Sequence, residues 1–114
     1  MTTQLSNFEE DALALTQAAV GMSQALVQND EAALAAALDQ NLTLWAAIKA
    51  VVGRPGCPLP EDVRTNLGRL SDYTAQVTFD LSPERRAQKI EALINTNLQI
   101  AEGLLEGHAK ASAG

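Results

Sequence analysis

At 114 residues the chain is one domain's worth of polypeptide, and two independent cores are excluded. It is 46% apolar but only 4% aromatic, with Leu and Ala dominating, so its interior must be built from small and medium aliphatic side chains, which favours helices over a sheet. A net charge of -6 supplies no basic stripe for phosphate contacts, so direct nucleic-acid binding is not expected, and a single cysteine, Cys57, excludes an internal disulfide and a multi-thiolate metal site.

Leu5, Phe8, Ala12, Leu15, Ala19, Met22 and Leu26 alternate in steps of three and four, which predicts a helix over 7–28 with one continuous apolar stripe. Ser6 or Asn7 can cap it, and Glu9, Glu10 and Asp11 then lie against the positive end of the helix dipole. A second row on the same helix, Leu13, Val20 and Val27, widens its apolar surface beyond one seam. Asn29 or Asp30 can cap a second helix over 31–52, whose seam reads Leu34, Leu38, Asn41, Trp45, Ile48 and Val52.

Residues 53–60 hold three of the four prolines and two of the seven glycines, and form the firm loop of the chain. Pro60 suits the start of a third helix over 61–80, with Val63, Leu67, Leu70 and Val77 on its apolar face and Leu59 placed to pack back against it. Ser82, Pro83 and Glu84 signal a fourth helix over 83–106, with the seam Ala87, Ile90, Ile94, Asn97, Ala101 and Leu104, and residues 107–114 read as a flexible tail. The expected fold is all-α, an antiparallel bundle of about four amphipathic helices in a single domain. Its charge is uneven, since residues 1–52 carry six acids and one base, whereas 53–114 carry eight acids and seven bases.

Nothing in the chain assembles into reaction chemistry. His108 falls in the expected tail, where a ring cannot be held for proton transfer, and Cys57 lies between Gly56 and Pro58, with Arg54 near enough to activate it but packing the simpler role. There is no Glu-x-x-His pair for a di-iron site and no phosphate-binding loop. Arg85, Arg86 and Lys89 are diluted by Glu84 and Glu91 and read as a solvated helix face. No catalytic residue, cofactor or metal is expected, and the protein is not expected to be an enzyme.

Two features stand out instead. Asn41 and Asn97 occupy heptad positions that should be apolar, where they either bond across the core and fix helix register or face a groove and bond a guest backbone. Trp45 is either a core anchor or the hot spot of an interface.

Three segments carry a family resemblance: Asn41-Leu42-Thr43-Leu44-Trp45, then Leu59-Pro60-Glu61-Asp62-Val63-Arg64-Thr65-Asn66-Leu67, then Asn97-Leu98-Gln99-Ile100-Ala101-Glu102-Gly103-Leu104. In that order they fit the patterns N-x-x-L-W, L-P-x-x-L/V-R-x-N-L and I/N-x-x-I-x-x-G-L, and the chain resembles the bacterial flagellar biosynthesis regulator FlaF family. The resemblance implies a small cytoplasmic helical protein that binds flagellin and couples its synthesis to export, working beside FlbT, which acts on flagellin messenger RNA.

A bundle with a surplus apolar stripe suits that role, because an amphipathic guest helix needs a groove to lie in. Leu13, Val20 and Val27 are the expected groove wall, and Trp45, Leu59 and Leu104 are further candidates for partner contact. Two other functions are open: a post-transcriptional regulator acting with FlbT, which the acidic balance disfavours, and a homodimeric helical interaction module. No apolar run is long enough to cross a bilayer and the acidic start does not fit a signal peptide, so a cytoplasmic protein without membrane insertion is expected.

Overall fold

The computed structural model describes residues 7–57, 59–80 and 84–113, with side chains described over 9–57, 59–80 and 84–105. Four helices follow one another, α1 (Asn7–Val27), α2 (Glu31–Val52), α3 (Glu61–Phe79) and α4 (Arg86–Ala113). Among the described residues, α1 packs against both α2 and α4, α2 against α3, and α3 meets α4 at only a few positions. The result is an up-down-up-down bundle with three tight seams and one loose one.

The α1–α2 turn shows why the chain reverses there. Asn29 adopts a left-handed backbone (φ 54°), the Asp30 N–H donates to the Ala25 carbonyl at 3.1 Å, and the Asn29 N–H donates to Leu26 at 3.3 Å. This is a Schellman closure, with Asn in the place usually taken by Gly. Asp30 then caps α2, its carboxylate accepting from the Ala33 N–H at 3.0 Å. The two helices approach closely where Gly21 faces Ala37, with a Cβ on Gly21 falling 3.9 Å from the Ala37 methyl.

Between α2 and α3, Gly53 ends the outgoing helix with ordinary right-handed angles, and Gly56 takes φ 83°, where a side chain would be strained. Leu59 packs back on the core, and its carbonyl accepts from Arg64 Nε at 3.1 Å.

The interior has two clusters. One is built on Leu15, Trp45, Ile48 and Leu67, the other on Met22, Leu34, Ile90 and Leu93.

Three expectations need correction. α4 begins at Arg86 rather than 83, and it continues through Ala113 where a tail from 107 was expected. Gly107 weakens a helix, but Ala109, Lys110, Ala111 and Ala113 are among the better helix formers and carry it onward. In the α4 seam, Ala87 is exposed and Leu93 is fully buried, because the stripe centred on Ile90, Asn97 and Ala101 places Leu93 inward and Ile94 on its flank. On α3 the centre of the buried face is held by Ser71 and Thr74, while Val63, Leu70 and Val77 are only half-buried. Leu5, Ser6 and the Ser82–Pro83 start signal lie outside the described residues, as do the side chains of Phe8 and His108.

Candidate functional site

The two bundle asparagines meet. Asn97 on α4 donates from Nδ2 to Asn41 Oδ1 on α2 at 2.7 Å and to the Leu15 carbonyl on α1 at 3.2 Å. Its Oδ1 accepts from the Trp45 indole N–H at 2.9 Å. One side chain therefore ties three helices together, and both asparagines are fully buried. The network is nearly but not wholly satisfied, since Asn41 Nδ2 and the Thr74 hydroxyl on α3 are buried without a partner. A buried polar group left in that state costs roughly 1 to 3 kcal/mol.

This geometry decides where Trp45 stands. It is 1% exposed, with its indole committed to Asn97 and its backbone carbonyl accepting from Ser71 Oγ at 3.0 Å. Trp45 therefore does not line a surface, and its place among the partner-contact candidates is withdrawn. Leu59 and Leu104 are half-buried against the same cluster and offer only their edges.

Leu13, Val20 and Val27 are different. They are 51%, 48% and 78% exposed, on the side of α1 turned away from its buried row Ala12, Leu15, Ala19 and Met22. Seven-residue spacing at 1.5 Å per residue makes this an aligned stripe about 21 Å long. Among the described residues no neighbour covers it, while α1 packs against both α2 and α4 through its other side. Leu98 and Leu105 on α4, also seven apart, are likewise exposed, as is Phe79 at the end of α3. The seven-residue spacing of Leu98 and Leu105 is the same sequence signal as that of the α1 row.

The electrostatics around α1 are one-sided. α1 carries Glu9, Glu10 and Asp11 and no basic residue. Burial pushes the Asp11 carboxyl above its ordinary range, and neighbouring Glu10 pushes it further the same way. In the basic cluster that leads into α4, Arg86 pairs with Glu31, one of its bonds at 3.1 Å, and Lys89 donates to the Asp80 carbonyl at 2.7 Å. The bond from Arg86 holds the Glu31 carboxyl below its usual range and raises the guanidinium in turn. Among the described residues no cluster of His, Cys, Asp and Glu could hold a metal ion, and no helix is long and apolar enough to cross a membrane.

The architecture thus offers a sealed polar centre and an open apolar stripe, and comparison with known families gives it a context. The family model of the flagellar protein FlaF matches residues 1–104. The chain belongs to the FlaF family. It is a flagellar protein, and the match takes in all of α1, α2 and α3 and most of α4. No curated protein and no solved structure matches the chain.

Proposed function

We propose that this FlaF-family protein binds flagellin in the cytoplasm as an export chaperone and couples flagellin synthesis to its secretion. The observation that carries this reading is the α1 stripe of Leu13, Val20 and Val27, an aligned apolar row left open on a chain of a flagellar protein family. An amphipathic guest helix laid along it covers apolar surface that water otherwise wets, the helix-in-groove mode of recognition. Three exposed aliphatic residues support only modest affinity, which suits a guest that export must pull away.

Parallel self-association through the same stripe is disfavoured, because it would bring the acidic first turns of two α1 helices together. Direct action on messenger RNA is disfavoured by the net charge of -6, unless FlbT supplies the basic surface. The test is calorimetric titration of monomeric flagellin into the protein, beside a gel-shift assay with flagellin leader RNA in the presence and absence of FlbT. Saturable flagellin binding without a direct RNA shift supports the reading. No heat at roughly tens of micromolar, well above the micromolar affinity of even weak specific complexes, overturns it.

A further inference from the structure

The open row of α1 has a counterpart on α4, and the two face the same way. On α1 the edge against α2 is marked by Gly21, which faces Ala37, and the exposed Gln17 and Gln24 follow that edge around the helix. Leu13, Val20 and Val27 come next, on the half of the exposed surface nearer α4, at about 100° per residue. On α4 the edge against α3 is marked by Lys89, which reaches Asp80 at the end of that helix. Leu98 and Leu105 stand about half a turn away from it, on the flank beside α1. The bond from Asn97 to the Leu15 carbonyl sets these antiparallel helices level at that point. Leu98 therefore lies across from Leu13, while Leu105 prolongs the apolar surface past one end and Val20 and Val27 past the other, over about 30 Å. The half-buried Thr16 and Ile94 lie between the rows, and the Thr16 hydroxyl is already bonded to the Ala12 carbonyl at 2.9 Å.

The margin of this face is acidic. Glu91 and Glu102 stand exposed beside Leu98. Among the described residues the ion pairs are Lys49–Asp72, Arg86–Glu31 and Lys89–Asp80, so neither glutamate has a base. α1 carries none to offer, and Arg86 and Lys89 are turned toward other partners. We propose that α1 and α4 are the two walls of one docking face astride their seam, and that its occupant is an amphipathic helix with an aliphatic spine and Lys or Arg along its margins. The spine covers Leu13, Val20 and Leu98 while the basic margin meets Glu91 and Glu102, so apolar area supplies affinity and charge sets orientation. A second copy of this chain brings to the face no base for either glutamate. The inference rests on the α1 row being a docking surface, and adds to it a second wall and the chemistry of the guest.

Two designed helical peptides of about 20 residues, long enough to span the face, test this on the full chain without flagellin. They share a leucine spine and differ only at the margins, Lys in one and Glu in the other. By fluorescence anisotropy the lysine peptide should bind at least about tenfold more tightly, and its binding should weaken as salt rises. Leu98→Gln with Leu105→Gln, which leaves the charge unchanged and lies wholly on α4, should weaken it at least about tenfold. Glu91→Gln with Glu102→Gln should weaken it about fivefold and flatten the salt dependence. Equal binding of the two peptides, or binding indifferent to the α4 leucines, would overturn the proposal. So would sedimentation of the parent as a dimer that Leu98→Gln dissociates, which would seat a second copy on the face. Lysine-peptide binding without flagellin binding supports this face and refutes flagellin as its guest, whereas flagellin bound equally well by all of these variants would overturn the inference and leave the α1 row standing.

Discussion

α1 and α3 are of similar length, 21 and 19 residues, yet they relate to the molecule in opposite ways. α1 buries Ala12, Leu15, Ala18, Ala19, Met22 and Ala25 between two neighbours and still leaves an aliphatic row in water. α3 buries one aliphatic and two polar side chains against one main neighbour, and its most exposed large hydrophobic, Phe79, lies at its end. Small residues explain α1, since alanine brings flanking helices close and lets one helix serve two seams. Polar residues explain α3, since Ser71 and Thr74 fill the inward positions without contributing much apolar burial. A helix with surplus apolar surface and a helix with a deficit therefore sit in one bundle.

The largest expected effect is on the frame that α1, α2 and α4 make. Trp45→Ala removes the largest buried side chain and strands Asn97 Oδ1, and denaturant unfolding should show a loss of about 3 to 5 kcal/mol. Asn97→Ala comes next: the indole N–H, Asn41 and the Leu15 carbonyl each lose a partner at roughly 1 to 3 kcal/mol per group if left dry, less where water enters.

A pair of truncations then compares the two helices directly. Leu15→Ala on α1 should cost about 2 to 5 kcal/mol of global stability. Leu67→Ala on α3 should cost less, because α3 packs against one main neighbour whereas Leu15 lies on a helix packed between two. Equal losses at the two sites would erase the distinction.

The smallest expected effect is electrostatic. The Arg86–Glu31 pair lowers the Glu31 carboxyl in the folded state, so its contribution is present above the ordinary glutamate range and is lost as pH falls through that lowered value. Both groups are exposed, which keeps the effect slight. Thermal melts of Glu31→Gln should differ from the parent at neutral pH and converge with it on acidification.

The fold was legible because it was written in period and punctuation. The steps of three and four on α1, the Asn29-Asp30 turn and the Pro/Gly loop each mark a boundary that backbone chemistry enforces. Asn41 and Asn97 were legible as polar intruders in apolar rows, but not as partners, because a bond across 56 residues depends on how α2 and α4 lie together. Trp45 was ambiguous for the same reason: its indole N–H needs an acceptor, and only the packed bundle supplies Asn97. The polar centre of α3 was hidden, since Ser71 and Thr74 look like surface residues until the antiparallel register turns them inward. At the far end, Ala-rich composition after Gly107 resembled a fraying tail, although the same composition sustains a helix.

The outward row of α1 is the claim on which the chaperone reading stands, and two charges placed in it examine that claim most directly. Leu13→Asp with Val20→Asp should leave the circular dichroism spectrum unchanged and cost only about 1 kcal/mol per site, because about half of each side chain already faces water. Titrated with monomeric flagellin, the doubly substituted protein should bind at least about tenfold more weakly than the parent, a loss of about 1.4 kcal/mol. Flagellin bound equally well by the two proteins would contradict a docking surface on α1.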